Sequence, residues 1–463
     1  TFLNMDYGAL CLIPPAIVIV MSIVLRSSFE ALLIGCVAGF IILSVYTGSN
    51  AFTDFVDSSI RVIGDTSSGG SVWVILVCGL YGSLIALMVR SGGLIKFGEW
   101  ALRYIKTKKQ ALMGTWVVGL IIFLDDYLSE LTVGLSMRKI TDTFKVPREI
   151  LAYIVNATAA AWSVIAPIST WTIYIGALLV VSKAAPEGEG LQTYWRMIPF
   201  IAYGYIAVIL AALFASGVLP WFGKLKQAAI RAETTGQLTA SAFSSSSVMD
   251  VSQMNAAKEG KLIYFVLPML VALVATIFFD IDALKGVIIA VAFTFIYYRI
   301  INLGSFQQLS DTMFNGVNSM VLALSILMMS YVLKDINSRM GLTEYVLHGV
   351  TPYVSKEMLP LAVFLSMALI SVTTGSSWGL YAVALPLIVP LAQQLDANVL
   401  LCCGAAVSAG VMGSNSCPYS DATILTSQSC ESPPLDNSFA QLPYIGLVFS
   451  LTCIAYIILG YTI

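Results

Sequence analysis

The chain has 463 residues, of which 58% are hydrophobic and only 11% charged, less than half of the roughly 25% charged residues of an ordinary soluble domain. That composition excludes a water-soluble enzyme, a DNA-binding protein and a disordered scaffold, and a formal net charge of −2 from 24 Lys+Arg and 26 Asp+Glu leaves no basic excess to hold nucleic acid. At about 20 residues per membrane-spanning helix, the apolar stretches allow on the order of ten crossings and little else.

In chain order, residues 10–25, 31–47 and 72–89 read as three spans. The first is followed by Arg26 and a second apolar stretch rather than by a small-residue cleavage site, so no secretory signal is expected. Residues 94–104 mix apolar and charged side chains at helical spacing, which suits a helix in the membrane interface or an extension beyond the membrane. The eight cysteines sit mostly inside apolar runs and read as small packing residues.

Residues 111–124 are apolar but only about half to two thirds of a membrane long before Asp125, Asp126, Ser129 and Glu130 interrupt them. Basic residues lie on both sides, Arg103, Lys106, Lys108 and Lys109 before and Arg138, Lys139, Lys145 and Arg148 after. Both ends therefore belong on the cytoplasmic side, and residues 111–140 should form a re-entrant hairpin with an acidic tip sheltered by protein. Residues 150–181 are long enough to cross but are broken by Asn156, Thr158, Ser163, Pro167, Ser169 and Thr170, the pattern of a discontinuous helix.

After a span at 197–219, the polar segment 224–261 should be a cytoplasmic linker loop dividing a first half, residues 1–223, from a second, residues 262–463. The second half repeats the order: spans at 262–279, 284–300 and 317–333, an apolar stretch at 359–393 interrupted by Thr373, Thr374, Gly375, Ser376 and Ser377, a stretch at 399–426 broken around Pro418, and a last span at 442–463. Asp126 lies as many positions before Pro167 as Ser377 lies before Pro418. Each half has an odd number of crossings, so the second copy is expected to be inverted relative to the first. The expected fold is an all-α polytopic membrane protein of two inverted repeats, each with a re-entrant hairpin and a discontinuous transmembrane helix.

An acid at membrane depth costs roughly 2.5 to 3.5 kcal/mol on insertion, so Asp125 and Asp126 are candidate ligands of a cation or carriers of a proton. The plainer alternative is that they cap the second hairpin helix. Thr374, Ser376 and Ser377 form the neutral counterpart of that tip, and Ser169 and Ser420 with Asp421 stand at the two helix breaks. With Asn156 these residues make a candidate sodium site; Thr158, Thr170, Trp171, Trp378 and Asn415 are candidate solute contacts. Packing serves the tryptophans equally well, and Trp162 with them. His348, the one histidine, reads as a surface residue.

The strings F-L-D-D-Y at 123–127, V-G-L-S-M-R at 133–138, P-R-E-I-L-A-Y at 147–153, A-P-I-S-T-W at 166–171, T-T-G-S-S-W-G at 373–379 and C-P-Y-S-D-A-T-I-L at 417–425 resemble, in order, motifs of NhaC-type sodium/proton antiporters in the wider ion-transporter superfamily. The resemblance implies a transport domain that moves against a scaffold, a homodimer in the lipid of the cell inner membrane, and no cofactor besides sodium as coupling ion. Two departures stand out. Ser414 and Asn415 occupy the place of the family's Asp-His pair, and Asn156 that of an Asp. The resemblance also implies relatives that carry amino acids or small carboxylates, so sodium/proton antiport and sodium-coupled transport of an organic solute both remain open. An intramembrane hydrolase using paired aspartates and a passive channel are the readings from other classes.

Overall fold

The computed structural model describes residues 7–25, 28–66, 71–123, 125–240, 260–279, 282–342, 344–345, 354–375 and 377–463. Ser376, His348 and residues 241–259 of the linker lie outside the described residues, as does the side chain of Trp378. Among the described residues every regular element is helical.

The first half runs α1 Ile13–Leu25, α2 Ser28–Thr47, α3 Ala51–Ile63, α4 Ser71–Arg90, α5 Gly93–Tyr104, α6 Lys108–Ile121, α7 Asp126–Thr143, α8 Arg148–Ile165, α9 Thr170–Val181, α10 Gly190–Met197, α11 Ala202–Ala215 and α12 Gly223–Thr235. The second half runs α13 Ile263–Phe278, α14 Ala283–Ile300, α15 Phe306–Ser319, α16 Val321–Arg339, α17 Leu359–Thr374, α18 Trp378–Gln394, α19 Val399–Ser416, α20 Asp421–Cys430 and α21 Pro434–Thr462. Two short-range signals in the sequence set many of these starts. Pro14 and Pro15 occupy the first turn of α1, where a missing N–H costs nothing, and side-chain caps open α3 (Asn50), α6 (Thr107), α15 (Ser305 with Gln308) and α19 (Asn398).

Five of these helices are long and apolar enough to cross a membrane, Phe29–Thr47, Ser71–Arg90, Ala283–Ile300, Val399–Ser416 and Pro434–Thr462. Two bent pairs, Arg148–Ile165 with Thr170–Val181 and Gly190–Phe200 with Ala202–Ala215, raise the number to seven. Further apolar stretches among the described residues are helices of 10–17 residues, such as Ile263–Phe278 and Leu359–Thr374. The protein is a multi-pass membrane protein.

The helix interruptions expected in each half are present: α6 ends at Ile121 and α7 starts at Asp126, α17 ends at Thr374 and α18 starts at Trp378, while α8–α9 and α19–α20 are interrupted around Pro167 and Pro418. The segment read as a single span at 197–219 is instead a bent pair. Three amphipathic helices were hidden from a reading based on apolar runs: α3, α15 and α12. The last corrects the linker, which begins as a helix with Leu225, Ala228 and Ala232 buried rather than as a loop. Arg231 ties it to Glu149 at 2.8 and 2.9 Å, and Arg148 N–H donates to Leu238 O just beyond it.

Packing places the two halves against each other. α15 lies on α4 so closely that Gly82 and Gly316 meet backbone to backbone, and α3 is fixed to α16 through Arg61–Asp335 at 2.7 Å. The second piece of each broken helix lies along the second arm of the opposite hairpin, α20 on α7 and α9 on α18. The most enclosed helices, α4, α7, α8, α19 and α20, form the centre, and they bury serines, threonines and acids as well as apolar side chains. The cysteines are free; seven are buried and Cys453 is half-buried, as packing residues should be.

Candidate functional site

At the α6–α7 break the chain leaves helical geometry between the exposed Ile121 and the buried Asp125, so its peptide groups need partners from neighbouring helices. α8 supplies them: Trp162 Nε1 donates to Leu120 O and Ser163 Oγ to Phe123 O, both at 3.0 Å. Asp125 then caps α7, its Oδ1 accepting from Leu128 N at 2.9 Å and its Oδ2 from Thr170 Oγ1 at 3.3 Å. Capping explains one acid of the pair. Asp126 is also buried, and its Oδ1 has no hydrogen-bond partner; the Trp171 ring lies beside this carboxylate and packs edge-on against Tyr381 at 5.8 Å.

The two helix breaks are built alike. Ser169 caps α9 by accepting from Thr172 N at 3.1 Å while donating to Ser163 O six residues back. Ser420 caps α20 by accepting from Thr423 N at 3.2 Å while donating to Ser414 O, again six residues back. The residue after each cap is a candidate: Thr170 on one side, Asp421 on the other. Asp421 accepts from Tyr127 Oη at 2.8 Å, Ser414 Oγ at 3.0 Å and Ala422 N at 2.9 Å. An acid of the second half is thereby held by the hairpin of the first.

The neutral tip is closed by different means. Gly375 ends α17 at φ 70°, a left-handed conformation that glycine adopts freely, and an added Cβ would lie 2.7 Å from the Tyr419 ring. Tyr419 Oη donates to Thr373 O at 3.0 Å, satisfying the tip carbonyl as Trp162 and Ser163 do in the first half. Thr374 Oγ1 donates to Ile370 O and Ser377 is buried at the start of α18.

Asn156 bridges the halves, its Nδ2 donating to Asn415 O at 3.1 Å and to Gln441 Oε1 at 2.8 Å, which leaves Oδ1 without a partner. Thr158 stands apart from this group. Its hydroxyl donates to Ile154 O and Val155 O within α8, and it faces Gly119 of α6, where an added Cβ would come 2.8 Å from its Oγ1.

The sequence reading passed over four contributors: Tyr127, Glu130, Ser414 and Gln441. Glu130 had a signal, since it lies four residues after Asp126 and shares its helix face. It is fully buried, and neither carboxylate oxygen has a partner. Asp126, Asp421 and Asp125 are its charged neighbours. None of the four acids forms an ion pair among the described residues: Arg138 is held by Glu431 at 2.8 Å and Arg148 by Glu431 and Asp142, while Lys334 of α16 lies over the Tyr331 ring at 5.7 Å and interacts with Asp421 at longer range. Tyr81 and Cys78 of α4 and Tyr331 of α16 close the other side. Among the described residues no three His, Cys, Asp or Glu side chains gather closely enough to hold a metal ion together, so any cation here takes one or two carboxylate oxygens and completes its shell with hydroxyl, amide or carbonyl oxygens.

A protein of Haemophilus influenzae, itself described only as uncharacterized, is 28% identical over 97% of this chain and 91% of its own length. Two solved structures show a distant likeness. The MtrF protein of Neisseria gonorrhoeae, described among antimetabolite efflux pumps, is 13% identical over 89% of this chain and 84% of its own, with a TM-score of 0.41. The YdaH transporter of Alcanivorax borkumensis is 13% identical over 89% and 88%, with a TM-score of 0.39. Neither structural likeness is close enough to carry an argument. A family model matches residues 176–461, well over half of the chain and including the neutral tip, Asn415, Ser420 and Asp421. The chain belongs to the Na+/H+ antiporter family, and it is a secondary transporter of the membrane.

Proposed function

We propose that this chain is a sodium-coupled secondary transporter of the NhaC type, working in the cell inner membrane by alternating access and exchanging sodium for protons. One observation carries the reading: four buried carboxyl groups, Asp125, Asp126, Glu130 and Asp421, stand where α7 meets the broken helix of the opposite half, none of them in an ion pair among the described residues, with the half-buried Lys334, beside the Tyr331 ring, as a cationic neighbour of Asp421. Buried charge without a partner is strongly unfavourable, so the cluster needs mobile positive charge, either sodium or protons. Asp125 and Asp126 with Asn156 and Ser169 serve the sodium from the first half. Thr374, Ser376, Ser377, Ser420 and Asp421 complete its contacts from the second. The repeated helix order and the reciprocal packing of α7 with α20 and α9 with α18 support two inverted repeats, residues 1–223 and 262–463. A homodimer within the lipid is part of the same proposal.

A second reading rests on Asn156, Ser414 and Asn415. They put neutral hydrogen-bonding groups where a proton path would have acids, and the unpartnered Asn156 Oδ1 is a free acceptor for a solute amine or hydroxyl. The carrier would then move an amino acid or small carboxylate with sodium, with Thr170, Trp171, Trp378 and Asn415 as contacts. Purified protein in liposomes, given an inward sodium gradient while internal pH is read, separates the two. A sodium-triggered pH change without added solute establishes exchange for protons, and a response only after an amino acid or carboxylate is supplied establishes solute transport. No sodium-dependent flux under either condition refutes sodium coupling.

A further inference from the structure

The four acids are not equivalent, and what separates them is hydrogen-bond supply. Asp125 accepts from Leu128 N and Thr170, and Asp421 from Tyr127, Ser414 and Ala422 N. Those donors replace water around an ionised carboxylate. Asp126 keeps one oxygen without a donor and Glu130 keeps both, so these two carboxylates have free lone pairs turned into a closed interior. They sit one helical turn apart on the same face of α7.

Around Glu130 the unmet groups continue. Thr426 Oγ1 of α20 and Ser129 Oγ are buried without partners. Ser429 Oγ lies 2.7 Å from Glu130 O and 3.1 Å from Thr426 O, so it brings the backbones of Glu130 and Thr426 side by side. α7 and α20 run in the same direction here, with Tyr127 at Asp421 and Arg138 at Glu431, and Ser429, which meets Glu130 O, follows Thr426 by three residues on the same face of α20, so Thr426 lies within about one helical turn of Glu130. A carboxylate, a hydroxyl and helix carbonyls, all oxygen and all buried, are the ligand chemistry of a small hard cation.

We propose that Glu130 with Thr426 forms a second cation position, separate from the one at Asp126 and one helical turn further along α7, which takes a monovalent cation such as sodium. The inference rests on the sodium reading given above and extends it in stoichiometry: the carrier binds two cations, one per carboxylate that lacks donors.

The test is equilibrium binding of radioactive sodium to the purified, sodium-free full chain in detergent, with Glu130→Gln, Thr426→Val and Asp126→Asn beside the parent. The parent is expected to bind two sodium ions, Glu130→Gln and Asp126→Asn one each. Thr426→Val, which keeps the charge and nearly the volume, should weaken one of the two binding phases by about tenfold through loss of a single oxygen ligand. Thr426→Val also keeps the question open to measurement if Glu130→Gln does not fold. Parent protein that binds one sodium ion, lost in Asp126→Asn and kept in Glu130→Gln and Thr426→Val, overturns the second position and leaves the sodium reading intact. Parent protein that binds no sodium overturns the reading on which it rests.

Discussion

Replacing Asp126 by Asn tests the sodium site with little change of shape. The side chain is buried, one of its oxygens has no donor, and Trp171 and the other acids surround it. If a sodium ion balances this carboxylate, the substitution breaks a buried ion pair by removing one member, a loss of about 3–5 kcal/mol. The half-saturating sodium concentration should then rise roughly 150- to 5,000-fold, beyond any physiological gradient. Stability should move the other way. An amide avoids the cost of an ionised, donor-poor carboxylate, so the melting midpoint in sodium-free detergent should hold or rise. In the parent, sodium at a hundred times its dissociation constant should stabilise by about 2.7 kcal/mol per site, and one such increment should vanish in Asp126→Asn. Sodium uptake into liposomes and sodium-dependent melting read the two effects separately. Uptake with a half-saturation within about threefold of the parent, well under the tenfold that each 1.4 kcal/mol brings, would refute the placement of sodium at Asp126.

Three further outcomes follow from the local geometry. Ser169→Ala and Ser420→Ala each remove a helix cap, at about 1 kcal/mol apiece; because the caps serve different helices, the losses in thermal stability should add, and a double variant no worse than either single one would contradict this. Gly375→Ala forces a left-handed residue and sets a Cβ 2.7 Å from the Tyr419 ring, so about 2 kcal/mol or more should be lost, read as a lower melting midpoint and poor recovery of folded protein. Arg231→Ala leaves the buried Glu149, among the described residues, with the Ala240 N–H alone, and amide exchange over residues 236–240 should quicken about tenfold or more.

Much of this arrangement could be read in the chain because it is local. Asp125 and Asp126 interrupt an apolar run, Pro167 and Pro418 mark helix breaks, and Ser169 and Ser420 precede helix starts, all signals a few residues wide. What escaped was either long-range or periodic. Tyr127 meets Asp421 294 positions away, and nothing in either segment names the other. Glu130 was visible as an interruption, but its approach to Asp421 depends on how α20 lies against α7. The helices α3, α12 and α15 carry their apolar residues on one side only, so a search for unbroken apolar runs passes over them, whereas a period of 3.6 residues would have found them.

α7 and α20 are tied at three heights: Tyr127 to Asp421 at 2.8 Å, Ser429 to Glu130 O at 2.7 Å, and Arg138 to Glu431 at 2.8 Å. A pair of rods pinned at both ends and the middle has no freedom to hinge open between them. The ligands that the two halves contribute must travel together, as cargo and carriage in one piece. On the alternating-access proposal, sliding would then fall on the faces that α4 and α16 present to this pair. A disulfide locking α7 to α20 should leave transport running, while one joining α7 to α4 should stop it.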